Sequence, residues 1–169
     1  MKGNKGITLI ALVVTIIVLL ILAAVAIAML MGDNSILKRA QSTQAYTAIG
    51  AAKDEVNLAY NAAFADYLKA KYEASNTVNP ATVKFSTFLN KRIAEARTAT
   101  ERRNTSAGTT TIKDQSGTTI SDSSTKIVIE FTDAQSKKTY KTEAPLSLTV
   151  NSESLGAWSA VTDPDAASN

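Results

Sequence analysis

A run of 25 residues, from Ile7 to Met31, contains no charged side chain and constrains this chain more than any other feature. Its only polar side chains are those of Thr8 and Thr15. As an α-helix at about 1.5 Å per residue, the run would be roughly 37 Å long. The hydrocarbon core of a bilayer is about 30 Å thick. Charge-free runs of this length are rare in the interior of a domain of this size, so the run predicts a membrane-spanning helix.

Positive charge precedes the run and negative charge follows it. Lys2 and Lys5 lie before it, and Asp33 is the first charged residue after it. Because positive charge is retained on the cytoplasmic side of a membrane, we expect the N-terminus inside and the chain from Asp33 onward outside. The predicted segments are a basic leader at 1–6, the apolar helix at 7–31, and an extracytoplasmic head at 32–169, the size of one domain.

The composition excludes several kinds of site. The 169 residues include no cysteine and no histidine, so disulfides are absent and zinc lacks its usual nitrogen and sulfur ligands. Imidazole-dependent general-base catalysis is excluded for the same reason. The formal net charge of +3 includes Lys2 and Lys5. The rest of the chain is close to neutral and carries no global charge for binding nucleic acid.

From Ser35, apolar residues recur mostly at spacings of three and four, which predicts an amphipathic helix as far as Glu73. Gly32 and Gly50 are weak points that each cost about 1 kcal/mol relative to alanine. We therefore expect a near-continuous helix from Ile7 to Glu73, with any bend near Gly32. Its apolar stripe comprises Leu37, Ala40, Ile49, Ala52, Val56, Ala59, Ala63, Tyr67 and Ala70.

A shorter helix and a sheet are predicted in the remainder. Asn79 and Pro80 are suited to the start of a helix that continues to about Thr100. Period-two alternation predicts a strand at 125–132, a return strand at 138–142 and, after a break at Pro145, a third strand at 146–150. One short strand is expected near 109–113, within a loop rich in Thr, Ser and Gly.

These elements predict an α+β fold. A long N-terminal helix, apolar and then amphipathic, packs on a small C-terminal antiparallel sheet, with the shorter helix between them. The apolar face of the sheet needs a cover. We expect the helix stripe to cover the face that bears Ile127, Ile129 and Phe131. We expect the C-terminal segment 154–169, which contains Trp158, to pack at its start and fray at its end.

No catalytic constellation is visible. Asp163 and Asp165 lie close together, but in a tail that no predicted element fixes, and there is no Gly-rich phosphate-binding loop. We expect a non-enzyme with no catalytic residue, cofactor or metal. A basic cluster lies in and around the shorter helix, where a solvated helix face is favoured over a DNA-binding surface. The cluster comprises Lys84, Lys91, Arg92, Arg97, Arg102 and Arg103.

The order of these features resembles type IV pilins and pseudopilins. The residues that carry the resemblance are Lys5-Gly6 followed by Ile7-Thr8-Leu9-Ile10 and Ala11-Leu12-Val13-Val14, and it covers about the first 35 residues. In that family a membrane aspartyl protease, the prepilin peptidase, cuts after the leader glycine, and the new amino terminus is methylated. The resemblance implies cleavage between Gly6 and Ile7 and methylation of Ile7.

The resemblance also implies a location and partners. The chain would cross the cytoplasmic membrane once, with its head outside, and would later enter a cell-surface filament. Residues 7–31 would then form the filament core with other pilin subunits. The implied partners are the prepilin peptidase, those subunits and the membrane, whereas DNA is not favoured. A pilus, a secretion pseudopilus and a DNA-uptake fibre all stay open.

The chain departs from the family at the fifth residue after the implied cut. Glutamate is usual there, and this chain has Ala11. In the family, that glutamate of an incoming subunit is thought to meet the free amino group of a subunit already in place. The loss of the carboxylate at this filament-assembly position favours a minor subunit.

Two alternatives use the same apolar run. Both Ala24-Val25-Ala26 and Ala26-Ile27-Ala28 satisfy the small-x-small rule of ordinary signal peptidase, which would release a secreted protein. Against this, the run continues through Met29-Leu30-Met31 without a break. An uncleaved run would give a signal-anchored surface protein that is not assembled into filaments.

Overall fold

A computed structural model describes residues 5–31, 36–73, 82–117 and 119–164. The order of helices and strands confirms the predicted α+β class. The chain divides into two compact units, Met1–Thr43 and Gln44–Asn169. The helices are α1 (Lys5–Met31), α2 (Ile36–Glu73) and α3 (Phe85–Arg103), and the strands are β1 (Gly108–Asp114), β2 (Lys126–Asp133), β3 (Thr139–Ser147) and β4 (Ser154–Leu155).

The α1 helix exposes its apolar side chains on every side. From Leu9 to Met29 all of its described side chains are exposed. Its backbone hydrogen bonds are internal, as an apolar solvent requires. The hydroxyl of Thr15 donates to the carbonyl oxygen of Leu12 at 2.8 Å, so this polar group is also satisfied within the helix.

The α2 helix buries one stripe of small and medium side chains. The predicted stripe is confirmed from Ile49 to Tyr67, whereas Ala40 is exposed and Ala70 is half-buried. The bend predicted near Gly32 lies outside the described residues. Alanine allows a neighbouring element to approach closely, which suits a helix that covers a sheet. The buried stripe comprises Ala45, Ile49, Ala52, Val56, Ala59, Ala63 and Tyr67.

The α3 helix is anchored by an aromatic contact at its first residue. The ring centroid of Phe85 lies 5.4 Å from that of Tyr60 and 5.5 Å from that of Tyr67, both on α2. The helix start predicted at Asn79 and Pro80 is wrong, because Val83 and Lys84 are not helical and Lys84 is the extended N-cap of α3. Asn79 and Pro80 themselves lie outside the described residues. The described helix therefore begins at Phe85, with its amino end fixed against α2.

The sheet is an antiparallel meander in the order β1-β2-β3-β4. The strand expected near 109–113 is confirmed as β1. The break predicted at Pro145 is wrong, because β3 continues through it to Ser147. Leu146 N–H donates to the carbonyl oxygen of Thr125, next to β2, at 2.8 Å. The N–H that Pro145 lacks would therefore point away from β2, where its loss does not interrupt the pairing.

The third predicted strand, 146–150, is also wrong. Its first two residues belong to the end of β3, and the next strand is the short β4, which pairs Leu155 with Leu146 and Ser154 with Ser147. One strand that contains a proline and is followed by a polar turn shows the same local alternation of apolar and polar residues as two separate strands. The two cases differ in whether the proline nitrogen points toward a paired strand or away from it, which depends on the tertiary fold.

One face of the sheet forms the core with α2 and α3. The buried cluster includes Ile127, Ile129 and Phe131 together with the α2 stripe, which confirms the predicted cover. The opposite face carries ion pairs between neighbouring strands. These are Lys113 Nζ with Glu130 Oε2 at 2.6 Å and Lys126 Nζ with Glu143 Oε2 at 2.8 Å.

Two buried aspartates close the turns at opposite ends of the sheet. Asp114 Oδ1 accepts from the N–H groups of Ser116 and Gly117, each at 2.7 Å, and its Oδ2 accepts from Ser124 Oγ at 2.6 Å. Asp133 Oδ1 likewise accepts from Ser136 N–H and Oγ at 2.6 and 2.7 Å. Burial alone would raise the pKa of each carboxyl, but these hydrogen bonds outweigh it and both pKa values are lowered.

These aspartates make the stability of the head depend on pH. Each contributes stability above the unfolded-state pKa of about 3.9, and that stability is lost as the pH falls through the lower folded-state pKa. We expect the free energy of unfolding to decrease below about pH 4. Replacement of Asp114 and Asp133 by asparagine should destabilise the head at pH 7 and flatten this acid dependence. Urea titrations from pH 2 to pH 7 would measure both effects, and an unchanged slope would contradict the assignment.

Phe131 should be a principal core residue. It is 3% exposed, and its ring centroid lies 6.4 Å from that of Tyr140. We expect Phe131→Ala to cost about 3–5 kcal/mol of unfolding free energy, because it removes a buried ring and leaves a cavity. Thermal unfolding of the full chain in detergent would measure the loss. Thr139→Ala, on the opposite face, is the control and should change stability by less than about 0.5 kcal/mol.

Candidate functional site

The exposed part of α1 has the dimensions of a membrane span. Leu9–Met29 is a helix of 21 residues, about 32 Å long at 1.5 Å per residue. Its length and composition suffice to cross a bilayer. A secretory signal sequence meets the same two criteria, so this apolar N-terminal helix has the length and composition of either a membrane span or a signal sequence.

The implied cleavage site lies at the amino end of this helix. α1 begins at Lys5, so the peptide bond between Gly6 and Ile7 is in its first turn. The first four N–H groups of a helix have no intrahelical partner, and glycine costs about 1 kcal/mol relative to alanine within a helix. This turn can therefore unwind at little cost, and glycine leaves room for the bond to extend in a protease cleft.

Ala11 lies one helical turn beyond Ile7 and is exposed. Residues four apart share a face of a helix, so a side chain at position 11 lies on the same face as Ile7. The methyl group of alanine presents no charge there. The position that would carry an assembly glutamate in the resembled family is thus uncharged, within the charge-free run from Ile7 to Met31.

The structure disperses the predicted basic cluster into separate contacts. Arg92 Nη2 pairs with Asp66 Oδ2 at 2.6 Å and holds α3 to α2. Lys84 pairs with Asp122, and Arg103 pairs with Glu55. Lys91 and Arg102 are exposed, and Arg97 is turned toward β1, where burial lowers its pKa. Most of the cluster therefore serves contacts within the head.

A polar network at the end of α2 was not predicted from the sequence. The hydroxyl of Tyr67 donates to Glu153 Oε1 at 2.9 Å. Lys71 Nζ donates to the hydroxyl of Tyr67 at 3.1 Å and to Asn151 Oδ1 at 2.8 Å. The network fixes the last turns of α2 to the turn between β3 and β4. No periodic pattern signals it, because the bonds that join α2 to this turn link residues 80 and 86 apart in the sequence.

Side chains also close the outer edge of β1. Thr110 N–H donates to Asn104 Oδ1 at 2.7 Å, and Asn104 Nδ2 donates to the carbonyl oxygen of Thr110 at 3.4 Å. Arg97 Nε donates to the carbonyl oxygen of Ile112 at 2.7 Å. An open edge strand is a template for pairing with other chains. The amide of Asn104 occupies that template as a neighbouring strand would.

The outer edge of β3 is closed by a segment from the C-terminal part of the chain. We call Gly156–Thr162 the strap. It runs antiparallel to β3, and Trp158 within it donates from Nε1 to Asn57 Oδ1 on α2 at 3.1 Å. Three strap N–H groups donate to carbonyl oxygens of β3: Gly156 to Pro145 at 2.8 Å, Ser159 to Glu143 at 2.8 Å, and Thr162 to Lys141 at 2.7 Å.

Comparison with known proteins gave no relative. No family model matches the chain, and neither curated proteins nor solved structures gave a significant match. Within the described ranges, no group of three or more His, Cys, Asp or Glu side chains is placed to hold a metal ion.

The Gly6–Ile7 junction gives a direct test of processing. When the chain is co-expressed with an active prepilin peptidase, we expect a mature protein that begins at methylated Ile7. Gly6→Val should block cleavage, because a branched side chain crowds the protease cleft and stiffens the extended peptide. Gly3→Val is the matched control and should still be cut. Intact-mass spectrometry reads each product, and a wild-type chain that keeps Met1 or begins near Ile27 would contradict the assignment.

Proposed function

We propose that the chain is a structural subunit of a type IV pilus or related pseudopilus. The observation that supports this most is an apolar helix, exposed from Leu9 to Met29, that begins directly at Lys5-Gly6. Such a helix needs an apolar environment throughout its life. Lipid supplies it before assembly, and the equivalent helices of neighbouring subunits supply it in a filament.

The leader explains why assembly would wait for processing. Lys2 and Lys5 hold the amino end of the helix on the cytoplasmic side, because moving their charges into the bilayer is costly. A cut between Gly6 and Ile7 removes both lysines. The remaining helix can then leave the bilayer and pack against copies of itself, with its head outside.

Ala11 supports a minor rather than a major subunit. A carboxylate within an apolar helix bundle is costly unless a positive group pairs with it. That cost makes the pair selective, because only the correct axial offset of two subunits relieves it. A chain with Ala11 offers no acceptor for the methylated amine of the next copy. It would therefore enter at the filament tip, or beside a different subunit that carries a glutamate.

The alternative function is a secreted or signal-anchored surface protein. It is favoured by the same helix, which also meets the criteria of a signal sequence, and by the absence of the carboxylate at position 11. The two functions differ in the mature amino terminus and in assembly, so both can be measured.

We expect no long filaments when this chain is expressed with only a prepilin peptidase and an assembly machinery. Ala11→Glu should increase self-assembly, because it restores an acceptor on the face that carries Ile7. Leu12→Glu is the matched control, since it introduces the same charge on a different face and should give none. Electron microscopy and shearing of surface filaments would measure the yield. Long filaments of the unmodified chain would refute the minor-subunit proposal.

A further inference from the structure

The backbone groups of β3 that point toward the strap all have hydrogen-bond partners in the strap. Lys141 exchanges two hydrogen bonds with Thr162, at 2.7 and 3.2 Å. Glu143 also bonds in both directions, since its carbonyl oxygen accepts from Ser159 N–H and its N–H donates to Ser159 Oγ at 3.0 Å. Pro145 has no N–H to satisfy. Each of these three residues therefore has its outward backbone groups paired.

The hold of the strap on this edge is modest. Successive bonded pairs along β3 advance by two residues, whereas along the strap they advance by three, from Gly156 to Ser159 and from Ser159 to Thr162. Each step therefore contains a bulge that interrupts regular pairing. Trp158 and Val161 are half-buried, and the rest of the strap is exposed. Its attachment depends on four backbone hydrogen bonds, on side-chain hydrogen bonds at Trp158 and Ser159, and on two apolar anchors. The hydroxyl of Thr142 donates to the carbonyl oxygen of Ser159 at 2.8 Å.

We propose that the outer edge of β3 is an acceptor site for an extended peptide, and that its partner is the strap of a second copy of this chain. The strap already seated on the edge defines what the site accepts. The strap of a second copy has the same spacing of Gly156, Ser159 and Thr162. Its tryptophan can occupy the same position beside Asn57. This exchange of an identical element between copies does not depend on the chain being a filament subunit.

The closed arrangement dominates in an isolated head because the strap is tethered to its own edge. A short tether gives an effective concentration in the millimolar range, which a free second copy cannot match. Exchange becomes favourable when copies are held side by side or when the tethered strap is weakened. The site is therefore latent, and the test must weaken the strap without removing the edge.

The test adds a synthetic peptide of residues 154–164 to the full chain in detergent micelles. Trp158→Ala weakens the tethered strap, and because Trp158 is the only tryptophan, the variant chain is free of tryptophan. We expect a labelled peptide to bind this variant at least tenfold more tightly than it binds the wild-type chain, as measured by fluorescence anisotropy. The tryptophan emission of the peptide should shift to shorter wavelength on binding.

Two controls assign the binding to the β3 edge. A peptide with Ser159→Pro lacks the N–H that donates to Glu143 and should not bind. In the Trp158→Ala chain, Lys141→Cys with Thr162→Cys should form a disulfide, since residues paired across antiparallel strands lie within bridging distance. This bond should abolish peptide binding until it is reduced.

Three results would overturn the proposal: equal binding to the wild-type and Trp158→Ala chains, equal binding of the proline peptide, or binding that survives the disulfide. Circular dichroism would verify that the variant is folded. If Trp158→Ala does not fold, Ser159→Ala replaces it. That change removes the acceptor of the Glu143 N–H while keeping the tryptophan, and it should strengthen labelled-peptide binding at least threefold over wild type. No increase would overturn the proposal.

Discussion

The packing of the alanine-rich face of α2 on the sheet is the interaction on which the rest of the head depends. Ala52, Ala59 and Ala63 are buried in one cluster with Ile127, Ile129 and Phe131 of β2. Other elements then attach to this pair. Phe85 fixes α3 to α2, and Trp158 fixes the strap to Asn57. Larger side chains at the alanine positions would separate the layers and weaken both attachments.

Polar side chains complete what the backbone of the small sheet leaves unpaired. Asn104 closes the edge of β1, Ser159 helps to close the edge of β3, and Asp114 and Asp133 bond the N–H groups of the turns. A sheet of four strands has two edges and few hydrogen-bonded residue pairs, so each unpaired group is a large fraction of its backbone donors and acceptors. The two edges differ in kind, because side chains close the outer edge of β1 and a backbone segment, the strap, closes the outer edge of β3.

Most of the fold could be predicted from the sequence because hydrophobic period is a local signal. The stripe from Ile49 to Tyr67 and the alternation at 127, 129 and 131 identified both halves of the core. Pro145 misled the prediction, because a proline interrupts only the side of a strand that its nitrogen faces, and that side depends on tertiary pairing. The roles of Asn104 and Ser159 were beyond prediction for the same reason. For the candidate site, the sequence locates Gly6, Ile7 and Ala11, and the structure adds their helical setting.

The distance along the chain between the two halves of the core has a consequence for folding during synthesis. Val56 and Ile129 belong to one buried cluster, yet about 70 residues separate them. At about 5–20 residues per second, α2 emerges roughly 4–15 s before β2 can cover it. A stripe of leucines would expose a large apolar surface, which favours aggregation, during that interval. Alanine exposes much less apolar area per residue. The residues that allow close packing therefore also reduce the apolar surface that the nascent helix exposes before β2 is synthesised.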